Sequence, residues 1–328
     1  MNHLTLKLIP CCLFLLLISA QCQPTPIPPP QPSPLPFLQP SNLPTHQPSN
    51  LPLPRGDGSD LLDRLLDTGV LRVGVRVWPD ASFSPPAFRG FSNARTGGAL
   101  NGFEVDVARA VAEGLGLELE LVEAYPPALM SGDWRGQWDI AIAGLVPFDG
   151  PPQQPLLFSQ PYGYLPLGVL IPAADGRIQT LADLAGQPVG LLNHSAEQRL
   201  FSPGGPSLTF QQKALLPAPP ANLQLVPQDN LPGAIRQLGG SSLQAIIGPS
   251  PVLSQAIKSE LPVKLAPRAA TIATLPLAVA TVERDQLKVE RLILEINKAL
   301  DRLRRQGTLA EIYLRWYDQD FSFAKIQP

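Results

Sequence analysis

Gly69-Val70-Leu71-Arg72-Val73-Gly74-Val75 is followed, beyond Pro85-Pro86-Ala87-Phe88, by Asn101-Gly102-Phe103-Glu104-Val105-Asp106-Val107-Ala108-Arg109-Ala110-Val111-Ala112. The first stretch is short, apolar and rich in β-branched residues, which predicts a buried strand over 71–75. The prolines punctuate a loop. The third stretch places Phe103, Val107, Val111 and Leu115 at helical spacing, which predicts an amphipathic helix over 103–115 with Gly116 at its end. Glu104 and Asp106 sit in the first turn, where the helix dipole favours acids, and read as structural.

Working outward, the alternation of Leu and Glu predicts a second strand over 117–122, and Asp-Ile-Ala-Ile-Ala-Gly-Leu a buried third strand over 139–145. Upstream, Ser59 can cap a short helix carrying Leu61, Leu62, Leu65 and Leu66. Strand, helix, strand, helix, strand is the order of a doubly wound α/β sheet. The order then repeats. Strands are expected over 167–171, 188–192, 223–226, 245–248 and 275–281, and short helices over 180–184 and 231–238. Thr180 is the expected cap of the first. A long helix is expected over 284–305, with Val289, Leu292, Ile296, Leu300 and Leu303 on one stripe and Gly307 ending it. Thr308 with Glu311 has the spacing of a capping box for a last helix bearing Leu309, Ile312, Tyr313 and Trp316.

The chain has 328 residues, room for two domains, and a formal net charge of −2, which gives no footing for a nucleic-acid partner. Its three cysteines, Cys11, Cys12 and Cys22, lie in the first 22 residues, so the body has neither a disulfide nor a thiolate metal site. His3, His46 and His194 are scattered without metal-ligand spacing. No metal and no cofactor are expected.

The N-terminus reads as an export signal over 1–22. Lys7 precedes an uncharged run over 8–20, the length of a signal core and short for a membrane span. Two processing routes compete. Ile18-Ser19-Ala20 suits ordinary signal peptidase. Ser19-Ala20-Gln21-Cys22 is similar to a bacterial lipobox, in which Cys22 would be acylated, although Gln21 departs from the Gly, Ala or Ser of that motif. Residues 23–56 form a proline-rich linker, with Gln-Pro-Ser-Asn-Leu-Pro at 39–44 and again at 47–52. Such a segment buries no core and favours polyproline II. At ~3.1 Å per residue it reaches on the order of 90 Å, enough to tether a body to a membrane. Localisation is therefore expected to be periplasmic or otherwise extracytoplasmic, with any membrane attachment through the lipid alone.

The opening strand, loop and helix resemble those of bacterial extracellular solute-binding proteins of family 3, the amino-acid ABC-importer class. Four further motifs in the same order extend the resemblance over roughly residues 69–318. They are Ser131-Gly132-Asp133 with Trp138-Asp139-Ile140-Ala141-Ile142-Ala143-Gly144; Phe158-Ser159-Gln160-Pro161-Tyr162; Ile178-Gln179-Thr180-Leu181-Ala182-Asp183-Leu184-Ala185-Gly186; and Gly307-Thr308-Leu309-Ala310-Glu311-Ile312-Tyr313 with Trp316. The resemblance implies a type II periplasmic-binding-protein-like fold: two α/β lobes joined by two hinge strands, closing on a small solute. Lobe 1 would take 57–165 and 277–328, lobe 2 residues 166–276. The protein would be a monomer that hands its solute to an ABC permease.

The same resemblance implies a site beyond the carboxyl ends of the strands. Amino-acid binders of the family place an arginine shortly after the glycine of the third strand and an aspartate after a lobe-two strand. Here Gly144 is followed by Leu145-Val146-Pro147, and Ile247 by Gly248-Pro249-Ser250. The cleft is accordingly expected to be apolar, with little charge, and free α-amino acids to bind weakly. Should an arginine serve, Arg89, Arg95 and Arg135 are the candidates. The expected ligand contacts are Asp80, Phe83, Phe88, Tyr125, Gly144, Leu145, Val146, Asn193, His194, Ser195 and Gly248. Phe83, Phe88 and Tyr125 would supply aromatic surface, though Phe88 could equally pack its own loop. Asp80 either meets a cationic group or is a solvated turn acid. Asn193-His194-Ser195 would present hydroxyl and amide donors, or simply cap a helix.

No catalytic residue is expected. Two alternatives stay open: a dehydratase of the cyclohexadienyl or arogenate type, for which Asp80, Asp149, Glu197 and His194 are the acids and bases at hand, and a degenerate lobe acting as a sensor. A fused lytic transglycosylase is not expected, since the sequence stops at Pro328.

Overall fold

Two long strands organise the molecule. In the computed structural model, which describes residues 53–76, 94–96, 99–147, 156–193, 195–201, 209–210, 213–214, 217–258 and 261–323, the elements run α1 (Leu61–Thr68), β1 (Val70–Val75), β2 (Ala94–Thr96), β3 (Ala99–Asn101), α2 (Phe103–Leu115), β4 (Glu118–Glu123), α3 (Pro126–Ser131), β5 (Ile140–Ala141) and β6 (Leu156–Pro172). After a 3₁₀ turn at Leu181–Leu184 come β7 (Pro188–Leu192), α4 (Ala196–Phe201), β8 (Thr209–Phe210), β9 (Lys213–Ala214), β10 (Gln224–Gln228), α5 (Leu231–Gln237), β11 (Ala245–Pro249), α6 (Ser250–Lys258), β12 (Val263–Leu265), β13 (Ala273–Val282), α7 (Glu290–Arg305) and α8 (Thr308–Tyr317). All lie within one compact unit, Gln47–Pro328.

Among the described residues the main sheet has nine strands in the order β10-β7-β11-β6-β13-β5-β1-β4, with β12 also on β6. Parallel strands fill both wings. β1 lies between β4 and β5, and β7 between β10 and β11. The centre is antiparallel: β6 and β13 pair from Ala273–Leu167 to Val282–Leu156, and so run from one wing into the other. Strands shared by both wings are what a hinged, two-lobed protein requires. Four apolar cores follow the same division. One packs α1, α2, α7 and α8 on β1 and a second gathers Trp134 and Trp138 against β5, whereas the other two lie around β7 and β11.

The helical stripes behave as their spacing predicts. Phe103, Val107, Val111 and Leu115 of α2 are buried, as are Val289, Leu292, Ile296, Leu300 and Leu303 along α7. Each such side chain contributes roughly 1.5–3 kcal/mol. Gly116 closes α2 in the left-handed region at φ 71°, where a Cβ would be strained. Leu117, Leu119 and Leu121 supply the buried face of the strand running alongside β1.

Other expectations need correction. Asp60, not Ser59, caps α1, its carboxylate accepting from the Asp63 amide at 2.9 Å. The strand expected over 139–145 shrinks to Ile140–Ala141, because Gly144 turns left-handed at φ 65° and the chain leaves the sheet. The segment expected as 167–171 is the last part of the 17-residue β6. The long helix begins at Glu290 rather than Arg284, since Asp285 and Gln286 both adopt positive φ and an isolated bridge joins Arg284 to Leu287. No capping box forms at Thr308. Gly307 is the cap of α8, and the Thr308 hydroxyl is buried without a hydrogen-bond partner. The sequence reading missed α3, which is six residues long, and α6, whose Val252, Leu253, Ala256 and Ile257 do recur at helical spacing.

One contact on the shared strand is testable. A Cβ on Gly163 of β6 would collide with the Tyr313 ring and hydroxyl of α8. Overpacking of this kind costs typically about 1–3 kcal/mol. Gly163→Ala is therefore expected to lower the denaturation midpoint at unchanged m-value. An unchanged midpoint would mean that Tyr313 simply swings aside.

Candidate functional site

Two parallel pairs that run in opposite directions, β1 with β5 and β7 with β11, end around one cavity of about 70 Å³, room for several waters. Beyond β1 stands Arg76; beyond β5, Ala143 and Gly144; β7 ends in Leu192 and β11 in Pro249. The shared strands contribute Leu165 and Leu277. The helix starts provide Phe103 and Glu104 on one side and Ser195 and Glu197 on the other, and Tyr317 closes the wall. This is the location that open α/β sheets reserve for ligands, because strand carboxyl ends and helix starts converge there.

The cavity carries charge, where the sequence led us to expect little. An Arg76 Nη donates to the Asn193 carbonyl at 3.3 Å, linking the end of β1 to the turn after β7. Burial pulls the guanidinium below its ordinary value, while Glu104 and Glu197 act in the opposite direction. Glu197 is 3% exposed. Its burial pushes its carboxyl up to about 7, against the opposing pull of its own backbone amide, Arg76 and Ser195. Glu104 leans over Gly144: a Cβ there would lie 3.3 Å from its Oε1. Behind it, the phenols of Tyr162, Tyr313 and Tyr317 are raised well above their ordinary value, first by burial and also by the Glu104 charge. The Phe103 ring packs, tilted by 52°, against Tyr313 and Tyr317 at 4.6 and 5.1 Å, which fixes the start of α2 and so the aim of Glu104.

The turn after β7 is cross-braced. The Asn193 amide donates to Asp229 at 2.9 Å, and its oxygen accepts from the Gln198 side chain at 3.1 Å. The Ser195 hydroxyl accepts from the Gln198 amide at 3.1 Å, an N-terminal capping bond for the short helix α4.

Of the residues expected from sequence, Gly144 and Ser195 line the cavity. Asn193 reaches it through its carbonyl, by way of Arg76. Leu145, Val146 and Gly248 lie next to its lining, Leu145 and Gly248 buried and Val146 packed against a core. Tyr125 caps α3 with 69% of its surface exposed and does not line the cavity. Asp80, Phe83, Phe88, His194 and Cys22 lie outside the described residues. The arginine in the cavity is none of those put forward. Arg135 is exposed and pairs with Asp133 at 3.1 Å, Arg95 belongs to the hairpin strand β2, and Arg89 lies outside the described residues. Sequence reasoning missed Arg76. The signal was present: it is the first residue past a buried parallel strand, the position that faces a ligand in this architecture. Glu197 had been named only as an acid without an arrangement. Among the described residues, no group of His, Cys, Asp and Glu could hold a metal ion.

Residues 76–319 match the family model of the bacterial extracellular solute-binding proteins, family 3. The chain belongs to that family. A probable amino-acid ABC transporter-binding protein of Haemophilus influenzae is 25% identical over 80% of this chain and 91% of that protein. A cyclohexadienyl dehydratase of Pseudomonas aeruginosa is 31% identical, over 47% of this chain and 51% of its own. Among solved structures, an ancestral arginine-binding protein bound to arginine superposes with a TM-score of 0.54 at 27% identity, covering 76% of this chain and 98% of that one. These neighbours have the two-lobed fold of type II periplasmic binding proteins, as this family member does. No helix among the described residues is long and apolar enough to cross a membrane.

Proposed function

We propose that this family 3 protein captures a small, amino-acid-like solute between its lobes, residues 57–165 with 277–328 and residues 166–276, and delivers it to an ABC permease. The observation that carries this reading is the meeting of Arg76, Glu104, Ser195 and Glu197 in one cavity at the strand carboxyl ends. A guanidinium suits a carboxylate, and the acids suit an ammonium. The amino-acid binders among its relatives support the same reading. In it, Asp80, Phe83, Phe88, Tyr125 and His194 supply further contacts as the lobes close. Residues 1–22 direct export, Cys22 carries a lipid, residues 23–56 hold the monomeric body off the membrane, and the permease docks on the lobes.

Calorimetry of the purified protein against the twenty amino acids tests the reading. Micromolar capture of at least one is expected, with affinity falling at least tenfold in Arg76→Gln as a charge-assisted contact is lost. Absence of binding across the whole set would remove it. For the lipid, radiolabelled palmitate should enter the wild type and not Cys22→Ser; equal labelling of both would refute acylation at Cys22.

A second reading has one specific observation behind it. A buried acid with a pKa of about 7 is a serviceable proton donor, and one relative is a dehydratase. Incubation with a prephenate-type substrate tests it directly, and loss of water and carbon dioxide from that substrate is the positive result.

A further inference from the structure

The cavity holds one more acid than a simple zwitterion needs. Arg76 can meet a carboxylate, and one carboxylate can meet an α-ammonium. Glu104 and Glu197 both line the cavity, from opposite sides of it. The geometry points to Glu197 as the residue that sets the net charge of the solute: ionised, it selects a solute bearing a second cationic group; protonated, it selects one of no net charge. The inference rests on the amino-acid-like solute proposed above and deepens it.

The surroundings of Glu197 support the assignment. Arg76 faces it from beyond β1, Glu104 and Tyr317 line the same cavity from α2 and α8, and Ser195 and its own backbone amide hydrogen-bond it from within the turn. Asn193 and its partner Asp229 brace that turn. Among the described residues, Arg76 is the cation that acts on Glu197, and Glu104 acts on Arg76 as well. A single guanidinium shared by two acids and a ligand carboxylate cannot neutralise all three. When Glu197 ionises, the filled cavity is short of one positive charge, and a second cationic group on the ligand supplies it. When Glu197 is protonated the account balances with a neutral zwitterion. Burying an unbalanced charge is what makes the difference large.

L-arginine and L-citrulline separate charge from shape, since they are near-isosteric and differ by one unit of charge. With a carboxyl that titrates at about 7, the affinity for arginine relative to citrulline is expected to rise about a hundredfold between pH 6 and pH 8, roughly tenfold from each ligand. In Glu197→Gln the ratio should stay level. A wild-type measurement guards against a variant that fails to fold. At pH 7, calorimetry in two buffers of different ionisation enthalpy should show arginine releasing on the order of half a proton and citrulline taking up about as much. A ratio independent of pH, or equal proton release by both ligands, overturns the inference while leaving amino-acid capture standing. A pH-dependent ratio that persists in Glu197→Gln overturns it too, assigning the titration to another group. If no amino acid binds at any pH, the proposed function itself falls and the inference with it.

Discussion

Asp139→Ala is expected to destabilise the protein by about 3–5 kcal/mol, the usual cost of removing one partner from a buried ion pair. Asp139 is 2% exposed at the entry to β5. Its carboxylate accepts from the Arg72 backbone amide at 2.9 Å, from Arg72 Nε at 3.2 Å and from an Arg72 Nη at 2.8 Å. It also pairs with Arg284, which donates in addition to the Trp138 carbonyl at 3.2 Å. Burial pulls the Arg284 guanidinium down and Asp139 holds it up, whereas the hydrogen bonds of Asp139 raise Arg72. Without the acid, Arg72, its backbone amide and Arg284 lose their acceptor together. Urea unfolding of wild type and variant measures the loss. A difference below about 1 kcal/mol would mean that water replaces the carboxylate, as it does at exposed pairs.

Glu197→Gln is expected to do the opposite, by an amount that grows as pH rises from about 4.5 to about 7 and then levels off. The native carboxyl titrates at about 7 and its ordinary value is 4.5. At pH 4 both folded and unfolded states hold the proton, and the group contributes its full share. As pH rises, the unfolded chain loses the proton first. Stability then falls until the native group also ionises near 7. The gap amounts to about 3 kcal/mol. Other groups titrate alike in both proteins and cancel in the difference. The variant should therefore match wild type near pH 4 and exceed it by about 3 kcal/mol at pH 8, read from denaturant curves at the two pH values. A constant difference across the range would show that Glu197 ionises in the folded protein as it does in the unfolded chain. The stabilisation is expected to be accompanied by loss of charge selection, the usual trade at a site where a buried acid is kept for use.

Local pattern was enough for much of the architecture. Phe103, Val107, Val111 and Leu115 recur at helical spacing, and Gly116 needs no side chain at φ 71°, so α2 could be read to the residue. The strand at 188–192 was equally legible, because a run of apolar residues between turn signals has few other uses. Such elements are decided by neighbours a few positions apart, and the order of those elements, with five motifs in series, carried the family. The span of β6 was not legible. Its 17 residues, Leu156–Pro172, contain two prolines beyond the terminal one, and only pairing with β13 as far as Leu167 and with β11 and β12 beyond it satisfies that backbone. The start of α7 and the true cap of α8 were set the same way, by turns whose φ values depend on packing rather than on local preference.

The site divides along the same line. Gly144 and Ser195 could be placed by their position after expected strands, and both line the cavity. Glu104 looked like an ordinary first-turn acid, and locally it is one. What it adds to the cavity comes from Phe103 locked among Tyr313 and Tyr317, residues more than two hundred positions away. Arg76, Glu104 and Glu197 belong to three separate segments, and no spacing in the chain relates them. By itself the sequence determined the family, the order of helices and strands and the strand ends where a solute would sit. Only the tertiary structure decided which charges meet there and that Glu197 is buried with its proton affinity raised, because Coulomb interaction and desolvation depend on distance and burial in space, not along the chain.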